Sequence, residues 1–108
     1  MSKSNNVKIV VFVPISHADV VREAMGKAGA GKIGNYTFCS FSSRGTGMFK
    51  PEEGASPAIG KIGTIESVEE ERIEAVCSRD NLAKVISAIK KVHPYEEVAL
   101  DVYPLEDL

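Results

Sequence analysis

The chain has 108 residues, a length that fits one domain over residues 1–108 with a single hydrophobic core. Its hydrophobic fraction of 44% and charged fraction of 26% are those of an ordinary globular protein, and they exclude a disordered chain or a coiled coil. With 13 basic against 15 acidic side chains the net charge is −2, so we expect neither nucleic acid nor an anionic membrane as a partner.

The N-terminal part of the chain predicts a polar extension followed by a central strand. Residues 1–6 are polar, and we expect them to be flexible. They show no secretory signal pattern, and no apolar run reaches the length of a bilayer, so we expect a cytoplasmic protein. Residues 7–13 are β-branched and nearly continuously apolar, which predicts a strand in the interior of a sheet that ends at Pro14.

The segment after Pro14 has the pattern of an amphipathic helix. Ser16 offers an N-cap hydroxyl, and apolar residues recur at helical spacing up to a group of glycines that begins at Gly26. These glycines and Lys32 nearly match a phosphate-binding loop. However, Ile33 replaces the required hydroxyl residue, and the segment follows a helix instead of opening one. We therefore interpret it as a helix C-terminus.

Two strands and a long connection are predicted in the middle of the chain. Residues 36–43 carry aromatic and hydroxyl side chains at strand spacing, and residues 66–78 end in an alternating apolar pattern. Between them, residues 44–63 are rich in glycine and long for a connection, which is typical of a functional or mobile loop. The candidates for ligand contact in this loop are Arg44, Gly45, Thr46, Gly47 and Phe49.

The C-terminal part predicts a second helix and a last strand. Apolar positions with a period of 3.6 between residues 80 and 92 indicate a helix that is capped by Ser78 or Asp80 and ends before Pro94. Residues 98–103 then alternate between apolar and other side chains, which indicates a strand.

The order β-α-β-β-α-β predicts an α+β, ferredoxin-like split βαβ fold. Because crossovers are right-handed, we expect a four-stranded antiparallel sheet in the order 4-1-3-2 with both helices on one face. In this layout His17, the loop over residues 44–63 and residues 93–97 all lie at one edge of the molecule.

Residues 93–97, with the sequence HPYEE, are the densest group of candidate ligands. His93, His17 and Glu97 would suffice to hold a divalent metal ion, and Tyr95 is a further candidate for ligand contact. No histidine or cysteine pair has helical ligand spacing, however. In the alternative interpretation, His93 is a helix-terminating residue that the C-terminal carbonyls stabilise.

Side chains alternate along a strand, which distinguishes the two glutamates of this segment. Glu97 shares its side with residues that lean toward solvent, so it is free to reach a ligand. Glu96 shares its side with apolar residues, and we expect backbone N–H groups or a cation to hold it.

The two cysteines, Cys39 and Cys77, lack the spacing of a disulfide framework or a structural zinc site, and we expect small buried thiols. Cys39 and His93 would form a nucleophile and a base if the fold brought them together. No other pattern predicts an enzyme, so we assign no catalytic residue.

Three motifs occur in order along the chain: GKIGNY at residues 31–36, GTGMFKP at residues 45–51 and HPYEE at residues 93–97. With them, residues 7–105 resemble the domain inserted in the middle of YqfO-type members of the Nif-three-like, dinuclear-metal-centre family. The resemblance implies a CutA- and PII-like fold and a homo-oligomer, for which it favours a trimer. An apolar edge strand with Tyr36, Phe38 and Phe41 also predicts an oligomer, and by itself allows a dimer.

The resemblance carries no enzymatic activity to this sequence. The family's two-metal site is built by segments that flank the inserted domain, and their histidine and glutamate motifs do not occur here. We therefore expect a non-enzymatic regulatory module that binds a small ligand or a metal ion. The alternatives are a protein-interaction or structural module without a small ligand, an accessory subunit of a dinuclear-metal-centre protein, and an enzyme whose site is shared between subunits.

Overall fold

The computed structural model describes residues 2–108, and its elements follow the order that the sequence predicts. No helix in this range is long and apolar enough to cross a membrane. A short 3-10 turn, Arg79–Asn81, precedes the second helix. In chain order the elements are β1 (Lys3–Pro14), α1 (Ile15–Lys27), β2 (Phe41–Phe49), β3 (Glu66–Ser78), α2 (Leu82–Val92) and β4 (Leu100–Glu106).

The four strands form one antiparallel sheet in the order β2-β3-β1-β4, which confirms the predicted ferredoxin-like fold. The β-branched run in β1 lies in the interior of the sheet, where Ile9 pairs with Ala75 of β3 and with Val102 of β4. Alternate residues of β1 are buried against Val21 of α1 and Val85 of α2 in a single core. Both helices therefore cover the same face of the sheet.

The helix ends differ in part from the predicted ones. Helix α1 begins at Ile15, directly after Pro14, and no side chain caps it, so the predicted N-cap at Ser16 is wrong. The proline ring holds φ at −54°, a value that already suits entry into a helix. Ser78 does act as a cap, because its Oγ accepts a hydrogen bond from the N–H of Asn81 at 3.3 Å in the 3-10 turn before α2.

The second strand is the main correction to the sequence-based prediction. It spans Phe41–Phe49, whereas the prediction was residues 36–43. Glycines disfavour a strand by themselves, but here Gly45 and Gly47 pair with β3 in an unbroken register. Pairing with a long neighbour therefore outweighs local preference, and the connection between the strands is shorter than predicted, at residues 50–65.

The two ends of the described chain lie side by side. Lys3 pairs with Glu106, and the N–H of Asp107 donates to the carbonyl of Ser2 at 2.8 Å. Residues 3–6, which were predicted to be flexible, thus belong to β1, whereas Met1 lies outside the described residues. Pro104 is accommodated in β4 because this strand lies at an edge of the sheet.

Candidate ligand-binding site

His93 fixes the crossing between α2 and β4. Its side chain is buried, with 7% of its surface exposed. The ring Nε2 lies 2.8 Å from the carbonyl oxygen of Phe12, and the N–H of Tyr95 donates to Nδ1 at 3.1 Å. Since a carbonyl only accepts and a peptide N–H only donates, these partners make Nε2 the donor and Nδ1 the acceptor.

The predicted metal site is not assembled by the described residues. Both ring nitrogens of His93 are engaged by the backbone, so neither has a free lone pair for a metal ion. His17 lies in the first turn of α1, where its Nδ1 is 2.8 Å from Oγ of Ser16. Residues 2–108 contain no group of three or more His, Cys, Asp or Glu side chains that is arranged to hold a metal ion.

Tyr95 is packed between two rings and bonded to a carboxylate. Its ring centroid lies 5.7 Å from that of Phe49 and 5.2 Å from that of His93. Its hydroxyl donates to Oε2 of Glu70 at 3.3 Å. Burial, followed by the charge of Glu70 and this hydrogen bond, raises the pKa of Tyr95 to about 12. The phenol is therefore a hydrogen-bond donor at neutral pH and not a base.

The two glutamates of HPYEE lie in bends before β4 begins, so the predicted strand alternation does not apply to them, and both are exposed. Oε1 of Glu96 accepts a hydrogen bond from the N–H of Ser56 at 2.7 Å, which confirms that the backbone holds this carboxylate. The bond ties the loop over residues 50–65 to the segment that leads into β4. Glu97 is exposed and lies beside it.

These contacts enclose a cavity of about 450 Å³ between the loop over residues 50–65, the end of β2 and residues 95–99. This volume lies within the range of small-molecule sites. The walls combine a largely apolar surface with charged groups at defined positions. The apolar members are Phe12, Met48, Phe49, Pro51, Ala55, Pro57, Ala58, Ile59 and Ala99, and the charged members are Lys50, Glu52, Glu70, Glu96 and Glu97.

Of the predicted site residues, Tyr95, Glu97, Gly47 and Phe49 line this cavity, and His93 supports it through Tyr95. The candidates Arg44, Gly45 and Thr46 instead line a smaller depression of about 310 Å³ along β2, which shares Gly47 with the cavity. His17 lines neither space.

Sequence reasoning missed Glu70 and Phe12, which come from β3 and β1. The absence of a side chain at Gly47 explains how Glu70 reaches the site. A Cβ atom at Gly47 would collide with the Glu70 carboxylate, so the glycine leaves the space that this side chain occupies. The signal in the sequence was a glutamate run at residues 69–71, which pairs with residues 44–46 of β2.

The cysteines take no part in the cavity. Cys39 lies in the connection before β2, with its Sγ 3.9 Å from the carbonyl of Thr37, and the engaged nitrogens of His93 leave it no base. Cys77 is buried, and burial raises the pKa of its thiol. The predicted buried thiol is thus confirmed at Cys77, while Cys39 is partly exposed.

Comparison with known proteins finds close relatives that are much longer than this chain. No family model matches. A GTP cyclohydrolase 1 type 2 homolog of Halalkalibacterium halodurans is 59% identical over 98 residues, which are 91% of this chain and 26% of that protein. The chain thus spans about a quarter of the length of the curated relatives it matches.

Solved structures agree with the fold. A Bacillus cereus protein related to NIF3 is 51% identical, with a TM-score of 0.84, and the match covers 99% of this chain and 27% of that one. Two more distant structures bear on the fold alone. The periplasmic divalent cation tolerance protein CutA of Archaeoglobus fulgidus has a TM-score of 0.70 at 17% identity, over 94% of this chain and 85% of that one. Bacillus subtilis GlnK has a TM-score of 0.59 at 20% identity, and the match covers 96% of this chain and 86% of that one.

Proposed function

This chain is homologous to the CutA-like domain inserted in NIF3-related GTP cyclohydrolase 1 type 2 homologs, and we propose that it is a non-enzymatic, oligomeric module that binds a small ligand. The observation that carries the proposal is the cavity of about 450 Å³. Two motifs that lie far apart in the sequence meet there, since Gly47 and Phe49 come from GTGMFKP and Tyr95 and Glu97 come from HPYEE.

The chemistry of the lining supports binding and not catalysis. The one phenol is held protonated, because the pKa of Tyr95 is raised to about 12. The one histidine beside the cavity, His93, uses both nitrogens for backbone hydrogen bonds. An organic ligand also fits better than a metal ion, because the walls are largely apolar.

The exposed edge of strand β2 is the reason for proposing an oligomer. This strand has a sheet neighbour on one side only, and unpaired edges favour pairing with another chain. Large apolar side chains are exposed in and before it, with Tyr36 at 74%, Phe41 at 68% and Met48 at 67%. A homo-oligomer would cover them, and the resemblance to CutA-like domains favours a trimer.

The test of ligand binding is a fragment screen by amide NMR on the intact chain. Binding in the cavity should shift the amide signals of Gly47, Phe49 and Ser56 together. A ligand at ~100 times its dissociation constant should add about 2.7 kcal/mol to the free energy of unfolding. Ala58→Trp would fill the cavity and abolish these shifts, whereas Ala83→Trp, on the exposed side of α2, should leave them unchanged.

The exposed apolar edge also favours a second function, a protein-interaction module without a small ligand. In that case the cavity only shapes the loop over residues 50–65, and a partner protein covers Tyr36 and Phe41. The same screen separates the two functions. A protein-interaction module would show no fragment that shifts the cavity amides, and substitution at Phe41 would be the change that abolishes its function.

A further inference from the structure

The charges around the cavity are unequal. Four glutamates and one lysine line it. The lysine is already neutralised, because Nζ of Lys50 lies 3.4 Å from Oε1 of Glu52. None of the ion pairs between residues 2 and 108 involves the other three carboxylates, which belong to Glu70, Glu96 and Glu97. Three of the four carboxylates that line the cavity therefore form no ion pair within the described residues, and the lining carries more negative than positive charge.

Two of these carboxylates are held in place by neutral donors. Oε2 of Glu70 accepts from the Tyr95 hydroxyl at 3.3 Å, and Oε1 of Glu96 accepts from the Ser56 N–H at 2.7 Å. Each carboxylate has two oxygens and about four acceptor positions, so one bond leaves most of its capacity free. A ligand cation would find acceptors that are already oriented.

The aromatic side chains of the cavity favour the same kind of ligand. Phe49 and Tyr95 both line the cavity, with their ring centroids 5.7 Å apart and their ring planes at 60° to each other. Ring faces attract cations, so both an aromatic ring and a nearby carboxylate would stabilise a bound organic ammonium group. The ring of Phe12 already attracts a cation of the protein, since the guanidinium of Arg72 lies 5.9 Å from its centroid.

We propose that the cavity selects an amphipathic organic cation, with an apolar or aromatic body against the walls and an ammonium group among the unpaired carboxylates, foremost Glu70, which the Tyr95 hydroxyl orients. This inference rests on the proposed ligand-binding function and adds the chemical class of the ligand. We expect nucleotides and other anionic metabolites to bind this cavity most weakly, because they would meet carboxylates that no ion pair neutralises.

The experiment uses ligands that differ in charge but share one ring system. Tryptamine, tryptophol and indole-3-acetate are respectively cationic, neutral and anionic at neutral pH. 2-Phenylethylamine, 2-phenylethanol and phenylacetate repeat the series on a smaller ring. Each is titrated into the intact chain, and amide NMR at Gly47, Phe49 and Ser56 reports binding in the cavity. We expect each amine to bind about tenfold tighter than the matching alcohol and each acid to bind most weakly.

Two variants assign the preference to the carboxylates. Glu70→Gln with Glu97→Gln should reduce the preference for the amine over the alcohol, because two of the three unpaired carboxylates become neutral amides of the same shape. Glu23→Gln removes one negative charge from the exposed side of α1, away from the cavity, where Glu23 pairs with Lys27 at 2.9 Å, and should leave the preference intact.

The outcomes separate this inference from the function on which it rests. If the three indoles bind equally in the cavity, or indole-3-acetate binds tightest, the cation preference is wrong and ligand binding stands. If no member of either series shifts the cavity amides at millimolar concentration, the inference is overturned, and the fragment screen decides the proposed function independently.

Discussion

The imidazole of His93 donates a hydrogen bond to the carbonyl of Phe12, 81 positions earlier in the chain. This bond ties the segment between α2 and β4 to the end of β1. It also sets the direction in which the chain leaves the helix, because the N–H of Tyr95, two residues later, donates back to the same ring. The histidine thus acts as a structural anchor for the cavity, through contacts that reach the lining residues on both sides.

Loss of this anchor should destabilise the protein. In His93→Ala the carbonyl of Phe12 and the N–H of Tyr95 lose their partners at a buried position, so we expect a decrease of about 1–3 kcal/mol in the free energy of unfolding. Urea denaturation measures the change. His17→Ala, on the surface turn of α1, should change it by less than ~0.5 kcal/mol. Equal effects of the two substitutions would contradict the structural role of His93.

The raised pKa of Tyr95 predicts that the free energy of unfolding decreases at high pH. Its pKa is raised from 10.0 to about 12 in the folded protein, so its contribution is complete below pH 10 and is lost as the pH rises through about 12. The ultraviolet difference between the parent and Tyr95→Phe should therefore titrate with a midpoint near 12. Stability should fall more steeply above pH 10 in the parent than in the variant. A difference spectrum with its midpoint at 10 would show that the phenol is not held by the fold.

The two glycines of β2 provide a matched test of the contact between Gly47 and Glu70. A Cβ at position 47 would push the Glu70 carboxylate away from Tyr95, so Gly47→Ala should lower the midpoint of the Tyr95 titration part of the way from about 12 toward 10.0, with the effect of burial remaining. Nothing lies within 4 Å of a Cβ at Gly45, so Gly45→Ala should leave that midpoint unchanged.

Glu96 should control how tightly the loop over residues 50–65 is closed. Glu96→Ala removes the acceptor of the Ser56 N–H, and we expect the loop amides to exchange hydrogen faster. The global stability should change by no more than about 1.5 kcal/mol. Glu97→Ala is the control, since the adjacent carboxylate lines the same cavity but does not accept the Ser56 N–H. Unchanged exchange at Ser56 in Glu96→Ala would argue against a role for this bond in closure.

The proposed assembly is tested at Phe41, which is 68% exposed at the start of β2. Phe41→Glu places a charge in the expected interface and should convert the oligomer into monomers by light scattering at micromolar concentration. Val20→Glu is the control, because Val20 is a large apolar residue of α1 with 42% exposure. A parent protein that is monomeric at this concentration would contradict the assembly itself.

Periodicity predicted the order of the elements because each helix and strand except β2 buries a clear apolar pattern. Residues 66–78 show this best, since the predicted range equals the observed strand. Local pattern failed in β2, where Gly45 and Gly47 have no side chain to show which face is buried. Their conformation depends on pairing with β3, which is a non-local interaction.

The sequence predicted which segments meet at the site, but it did not predict the contacts that form the cavity. The order of the elements brought HPYEE and the glycine-rich segment to the same edge, and the backbone holds Glu96 as predicted. The alternation argument was wrong, because both glutamates lie in bends before β4 and both are exposed. The metal candidate at His93 came from the sequence alone, which does not show that a backbone carbonyl 81 positions away lies at a ring nitrogen. The depth of the cavity likewise depends on how the loop over residues 50–65 folds back.

The adjacent ends of β1 and β4 have a mechanical consequence. A pull on Ser2 and Asp107 in opposite directions would load the hydrogen bonds between these two strands one after another, starting with the bond of 2.8 Å that joins the two residues. Bonds that break singly resist less force than bonds that are sheared together. Tension applied through both ends would therefore peel β4 from β1 and reach the core last, where Val11 pairs with Leu100.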